Sequence, residues 1–279
     1  AQEIKSKRTQ FGKVFSLGGN RFQAVTYAEP IHKENPQTGE WEELDLSFQA
    51  TQDDAGHNVC MNASGDNLSI ACGISGEKPF ITLADNSEHK IAWGIEGAAS
   101  VNPEAEKKGI NSSDLTVKSL REEVLEKLHH QIIYSEIFPG VKMICESGNQ
   151  FKDTFVFASK EAVRPIVYLI TANNLTATVK EDREICFASM EGKPVFYFTM
   201  PFLTDADGIG GEVDVKLEKS DEGYRMVYTP APEFTANAAY PLILDPEVRT
   251  AQETNAIGDT YARVGYSTDY SSADEPWIT

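Results

Sequence analysis

The chain has 279 residues, of which 41% are hydrophobic and 24% are charged, and both values are typical of folded, soluble proteins. Its 43 acidic and 25 basic residues give a formal net charge of −18, which argues against a nucleic-acid partner because phosphate backbones are bound by basic surfaces. No apolar run approaches the roughly 20 residues that cross a bilayer. We therefore expect a monomeric protein that neither inserts into a membrane nor binds nucleic acid.

Short alternating segments recur along the chain and predict β-strands. Val213, Val215 and Leu217 alternate with charged residues, and after a turn a second alternating run follows at 224–228. This pair predicts a β-hairpin. Similar short runs occur at 22–27, 44–48, 80–83, 91–95, 155–157, 166–170, 175–179, 185–187 and 195–200. Many short strands with turn residues between them predict a mainly β fold, in a multi-sheet, β-sandwich-like architecture.

One segment departs from this pattern. At 115–131, Leu120, Val124, Leu125 and Leu128 recur at helical spacing, which predicts an amphipathic helix packed on a sheet.

The polar stretch before this helix is the preferred internal boundary. We therefore expect an N-terminal β region at 1–97, a linker plus helix at 98–131, a C-terminal β region at 132–248, and a tail or the start of a further unit at 249–279.

Four cysteines, Cys60, Cys72, Cys145 and Cys186, are too sparse for a disulfide-held scaffold. Buried free thiols are the favoured interpretation, because cysteine is among the most buried residue types. Cys60 and Cys72 flank a turn-rich stretch, so a disulfide within one hairpin is the alternative interpretation.

Several runs in the second half resemble a known family. They read IYSEIFPGV at Ile133–Val141, MPFLTDADG at Met200–Gly208 and YPLILDP at Tyr240–Pro246. The first half adds GEWEELD at Gly39–Asp45, and IGDTY at Ile257–Tyr261 is similar to the opening of a DNRLRE unit. In this order, the runs resemble the N-terminal region of secreted Gram-positive wall-associated, YD-repeat and DNRLRE-domain proteins. The resemblance implies a β-rich fold and a secreted, cell-surface or cell-wall location, without a catalytic mechanism.

Two sets of residues are candidates for binding. Asp205 and Asp207 resemble the start of a calcium loop, but Ile209 and Lys216 stand where further oxygen ligands belong, so a plain turn is preferred. Trp41 and Trp93 could stack on sugars, but each lies in an alternating strand, where burial in the core is the default.

The common catalytic signatures are absent, which favours a non-enzymatic protein without a cofactor. We expect a binding module of a surface protein, an adhesin that recognises a host extracellular protein. Immunoglobulin, bound in a superantigen-like manner, is the specific hypothesis. The alternatives are a structural spacer or cap for downstream repeats and a carbohydrate-binding module.

Overall fold

A computed structural model gives the fold for residues 2–27, 30–35, 37–52, 56, 58–64, 68–76, 78–85, 89–107, 130–147, 150–181 and 183–251. Within these ranges, no helix has the length and apolar character needed to span a membrane.

Antiparallel strands make up most of the described residues and are numbered in chain order. They are β1 (Gln2–Glu3), β2 (Gly12–Gly18), β3 (Arg21–Thr26), β4 (His32–Glu34), β5 (Trp41–Glu43), β6 (Asp45–Gln52), β7 (Asn58–Ser64), β8 (Leu68–Cys72), β9 (Ile81–Asp85), β10 (Lys90–Ile95), β11 (Glu104–Lys107), β12 (His130–Phe138), β13 (Val141–Ser147), β14 (Phe151–Phe157), β15 (Ile166–Ala172), β16 (Leu175–Val179), β17 (Ile185–Ser189), β18 (Pro194–Phe198), β19 (Phe202–Thr204), β20 (Gly210–Gly211), β21 (Val213–Ser220), β22 (Gly223–Pro230), β23 (Leu242–Asp245) and β24 (Glu247–Thr250). The described helical segments are 3-10 turns at Lys5–Lys7 and Lys160–Ala162 and the short helix α1 (Pro232–Thr235).

Two large sheets contain most of these strands. The eight-stranded sheet has the order β21-β22-β15-β10-β9-β8-β7-β6. The eleven-stranded sheet runs β11-β12-β13-β14-β24-β18-β17-β16, with β23, β19 and β20 paired beside β14. Strand β10 pairs with β15, which places Trp93 opposite Ile170 and joins distant parts of the chain in one sheet.

The inward faces of the two sheets share one hydrophobic core. Along β13 and β14 every second side chain is buried, as expected for strands with one face on a core. Trp93, from the eight-stranded sheet, meets the rings of Phe151 and Phe198 from the other sheet, each with centroids 5.6 Å apart. The predicted β-sandwich-like fold is therefore confirmed.

A smaller group of strands lies at the N-terminus. Strands β1, β2 and β3 form a three-stranded sheet, and β4 pairs with β5. Ile31 and Leu44 form a separate buried pair against Tyr27, and the backbone of Ile31 bonds to Gln10, which ties the two small sheets together. We call residues 2–44 the N-terminal lobe.

The predicted helix at 115–131 falls mainly outside the described residues. Its last two positions, His130 and Gln131, belong to β12, because they pair with β11 and not with a helical turn. Residues 252–279, which hold the run similar to a DNRLRE unit, also lie outside the described residues. The division into four regions stays a prediction.

Candidate functional site

Basic residues concentrate at the N-terminus of this acidic chain. Residues 1–33 contain six lysines and arginines against two glutamates, a formal net charge of +4, whereas the whole chain carries −18. Of the six basic residues, Lys5 and Lys7 lie on the 3-10 turn, Arg8 follows it, and Lys13, Arg21 and Lys33 lie on β2, β3 and β4. A local excess of one sign produces its own field at the surface, whatever the average charge of the molecule.

The outer side of the three-stranded sheet combines cations with an exposed aromatic ring. Phe22 is 58% exposed, a high value for a phenylalanine. The ammonium group of Lys7 lies 5.4 Å from the centroid of that ring, within the range of a cation–π contact. Lys5 and Arg21 are also exposed. We call Lys5, Lys7 and Phe22 the basic face, because Arg21 precedes Phe22 directly on β3 and projects to the other side of the strand.

The turn between β2 and β3 positions Arg21 and Phe22. Gly18, Gly19 and Asn20 have φ values of +81°, +61° and +60°, a left-handed conformation that glycine and asparagine tolerate best. The chain therefore reverses tightly, and the register places Phe22 opposite Ser16 and Arg21 opposite Gly18.

The inner side of the same sheet carries a partly buried charge cluster of Glu3, Arg8, Lys13 and Glu43. Arg8 donates from Nε and Nη2 to the two carboxylate oxygens of Glu3, at 2.7 and 3.0 Å. Lys13 donates to Oε1 of Glu43 at 2.9 Å. The side chains of Arg8 and Lys13 are only 7% and 8% exposed. The pKa of Glu3 is lowered, chiefly by its hydrogen bond from Arg8, so the carboxylate stays charged within the cluster.

A buried histidine lies beside this cluster. The Nδ1 atom of His32 is 2.7 Å from the carbonyl oxygen of Thr9, and because a carbonyl only accepts, Nδ1 carries the proton. Burial lowers the pKa of His32, and the nearby cations Arg8 and Lys13 lower it further. The ring is therefore neutral, with Nε2 as an unprotonated acceptor that has no hydrogen-bond partner among the described residues.

The two aspartates proposed for calcium belong to a turn that uses their backbone and side chains. Oδ1 of Asp205 accepts from the backbone of Asp207 and Ile209 at 3.0 and 2.9 Å, and Oδ2 accepts from Ala239 at 3.1 Å. These backbone bonds, led by that from Ile209, lower the pKa of Asp205. Asp207 is exposed. In the described part of the chain, no group of three or more His, Cys, Asp or Glu residues is placed to hold a metal ion.

The two candidate tryptophans are not brought together. Trp93 is 0% exposed, in the core between the large sheets, where a ligand in solvent cannot reach its ring. Trp41 is half-buried on β5, and its carbonyl oxygen accepts from Arg8 at 3.2 Å, so its backbone is part of the N-terminal lobe.

Sequence reasoning missed the basic face because it used the net charge of the whole chain. The signal was present in the distribution of charge, since six of the 25 basic residues lie in the first 33 positions with only two acidic ones. The exposure of Phe22 needed the structure, because alternation predicts a strand but leaves open which side of it faces solvent.

The chain therefore belongs to the antiparallel β class of folds, and one of its small sheets carries a basic face with an exposed aromatic ring. Three curated proteins match it over 99% of its length. They are the tRNA nuclease WapA of Bacillus subtilis (strain 168), 26% identical over 289 residues, and two 25% identical proteins. These two are the tRNA3(Ser)-specific nuclease WapA of Bacillus spizizenii and the tRNA(Glu)-specific nuclease WapA of Bacillus subtilis subsp. natto.

The chain spans 11% of the length of these relatives. No family model matches the chain. No solved structure matches it either.

The family predicted from the sequence runs is wrong in the light of these matches. The relatives are named as WapA tRNA nucleases and not as the N-terminal region of YD-repeat or DNRLRE-domain proteins. The runs at 133–141 and 240–246 lie in strands and the turns that join them, so they report local structure and not the activity of the polypeptide. The name WapA denotes a wall-associated protein, in agreement with the predicted cell-wall association.

The functional predictions are wrong as well. The predicted roles were a host-binding module, a spacer and a carbohydrate-binding module, all of them non-enzymatic. These roles conflict with relatives that are named nucleases. The adhesin role, the immunoglobulin partner and the exclusion of nucleic acid conflict with the tRNA in the same names. Both errors have a physical origin. A net charge conceals a local basic face, and the absence of common catalytic motifs from a chain that spans 11% of the length of its relatives carries no conclusion about catalysis.

Proposed function

We propose that this chain is a segment of a polypeptide that cuts tRNA, and that its basic face contacts the RNA. The observation that carries the proposal is the match over 99% of the chain to three proteins named as tRNA nucleases. Secretion and association with the cell wall belong to the same proposal.

The chemistry of the basic face suits single-stranded or looped RNA. Lys5 and Lys7 are exposed, so their charges can neutralise phosphates and release counterions. Phe22 offers a solvent-facing ring on which an unpaired base can stack, an interaction worth about 1–3 kcal/mol per base. Unpaired loop bases are the usual targets of RNA recognition by aromatic side chains.

The charge cluster supports this face from beneath. Arg8 lies directly after the 3-10 turn that carries Lys5 and Lys7, and its two bonds to Glu3 attach that turn to β1. Because the two cations of the cluster pair with its two carboxylates, the exposed lysines do not neutralise these carboxylates and can bind a ligand. Precise binding requires that the residues which touch the ligand are themselves held in place by their neighbours.

The test measures tRNA binding by the chain and by two charge-reversed variants. The variant Lys5→Glu/Lys7→Glu alters the basic face, and Lys216→Glu/Lys219→Glu places the same charge change on β21. We expect the first variant to bind tRNA at least about tenfold more weakly. The slope of log affinity against log salt should shrink by about two, one for each phosphate that a lysine no longer neutralises. The control variant should match the unaltered chain.

Equal weakening in both variants would mean that only overall charge matters, and would overturn the proposed face. No binding of tRNA by the folded, unaltered chain would overturn the RNA interaction itself. Cleavage is measured on the longer polypeptide that contains this chain, where an absence of tRNA cleavage would overturn the nuclease proposal.

A further inference from the structure

Two cysteines face each other across neighbouring strands in the eight-stranded sheet. The register of β7 with β8 pairs Cys60 with Cys72, and the next pair is Met61 with Ala71. Directly opposed residues of an antiparallel pair have Cα atoms about 4.5–5.5 Å apart. A disulfide needs a Cα separation of about 4.4–6.8 Å, so this pair meets the first geometric requirement without movement of the backbone.

Both thiols lie on the inward face of the sheet. Cys60 is 5% exposed and Cys72 is 0% exposed, whereas Met61 and Ala71 on the opposite face are half-buried. Burial raises the pKa of the Cys60 thiol, and the neighbouring Cys72 raises it further, which agrees with two close sulfur atoms. Both thiols are in the reduced state in this structure.

A cavity beside Cys60 gives a small reagent a route to the pair. Its volume is about 580 Å³, and it is lined by residues of β6 and β7 together with Asn102 and Pro103. Of the two cysteines, Cys60 lines this cavity. Disulfide exchange requires access to one thiol of a pair, and this arrangement provides it.

We propose that Cys60 and Cys72 are a modification site that closes into a cross-strand disulfide when the chain meets a small disulfide oxidant such as oxidised glutathione. The Cys60 thiolate attacks one sulfur of the oxidant, forming a mixed disulfide and releasing one glutathione thiolate. The Cys72 thiolate then attacks the Sγ atom of Cys60 and releases the second glutathione. Two protein thiols are oxidised, one glutathione disulfide is reduced to two thiols, and the two protons pass to the released thiolates.

The bond would attach β7 to β8 close to the edge of the sheet that ends at β6. The loop between the two cysteines would then be closed in the unfolded chain as well, which reduces its conformational freedom. We expect the midpoint of thermal unfolding to rise by roughly 5 °C on oxidation. This inference is independent of the RNA interaction.

The test treats the folded chain with oxidised glutathione, blocks the remaining thiols by alkylation, and maps disulfide-linked peptides by mass spectrometry without reductant. We expect the loss of two hydrogen masses, one linked pair of peptides containing Cys60 and Cys72, and alkylated Cys145 and Cys186. The variant Cys72→Ser should stop at the mixed disulfide on Cys60, and the control Cys186→Ser should form the cross-link as the unaltered chain does.

A bond between Cys72 and Cys145, which approach each other across the two sheets, would overturn the assignment. Four alkylated thiols after treatment would overturn it too. Both outcomes are read on the unaltered chain, so the proposal stays falsifiable even if Cys72→Ser fails to fold.

Discussion

Asp153 is a carboxyl group in the interior of the sandwich, and it makes the stability of the fold depend on pH. It lies on the inward face of β14 and is 0% exposed. The hydroxyl of Tyr168 donates to its Oδ2 atom at 2.6 Å. Burial raises the pKa of Asp153 well above its ordinary value, and the bond from Tyr168 offsets only part of that rise.

The sign of the effect follows from linkage. The pKa of Asp153 in the folded chain lies above its unfolded value of about 3.9, so the folded state binds more protons between these two pKa values. The free energy of unfolding therefore falls as pH rises from the unfolded pKa to the folded pKa. Asp153→Asn removes this titration. As pH rises through that window, we expect the unfolding free energy of the variant, relative to that of the unaltered chain, to increase by up to about 1.4 kcal/mol per pH unit.

Urea unfolding of both proteins at about pH 5 and about pH 7 checks this prediction. A difference in unfolding free energy that is the same at both pH values would show that the carboxyl is already ionised in the folded chain at about pH 5, and would contradict a raised pKa.

The charge cluster makes a second prediction at the residue scale. Arg8→Met removes both hydrogen bonds from the partly buried carboxylate of Glu3 and a longer one from Glu43, so we expect a loss of about 2–3 kcal/mol in the free energy of unfolding. In the control Lys216→Met, the partner left behind is Asp214, and both side chains are more than half exposed. The unfolding free energy of this control should stay within about 0.5 kcal/mol of the unaltered chain, measured by urea titration. Equal decreases in the two variants would contradict the prediction.

At the scale of the element, the hairpin of β21 and β22 shows what the sequence could and could not predict. Alternation at 213–217 and 224–228 predicts both strands, and the structure confirms them with unbroken pairing from Val213↔Pro230 to Ser220↔Gly223. The pairing of β22 with β15 could not be predicted, because its partners are distant in sequence and alternation specifies a face without specifying a neighbour.

The close approach of β22 to β15 depends on Gly223. Its φ is +143°, and a Cβ atom there would overlap the carbonyl oxygen of Ile170 on β15. Gly223→Ala should therefore destabilise the chain by more than about 3 kcal/mol, because the backbone of β15 cannot move aside cheaply. The control Gly192→Ala also has positive φ, +80°, but it has no atom within 4 Å of the added Cβ, so it should cost only about 1–2 kcal/mol.

Thermal unfolding of the two glycine variants separates steric overlap from backbone strain. The expected order of midpoints, from high to low, is the unaltered chain, Gly192→Ala, then Gly223→Ala, with the last at least about 3 °C below the second. Equal midpoints for the two variants would show that β15 accommodates the extra atom.

At the scale of the whole molecule, the distribution of charge matters more than its sum. The net charge of −18 correctly describes an acidic chain, yet residues 1–33 carry +4 and form a face with an exposed phenylalanine. The mainly β fold was predictable because alternation is local. The candidate site could not be predicted in the same way, because its residues come together through strand pairing. The exposure of Phe22 also depends on which side of the small sheet covers the charge cluster.

The most direct measurement of the RNA-binding face is ultraviolet cross-linking of tRNA to the chain, followed by identification of the cross-linked peptides by mass spectrometry. We predict cross-links concentrated in the peptides that contain residues 5–22, with Phe22 as the principal position, and their disappearance when Phe22 is replaced by alanine. Cross-links located mainly on other strands, or spread evenly over the chain, would contradict a specific RNA-binding face in the N-terminal lobe.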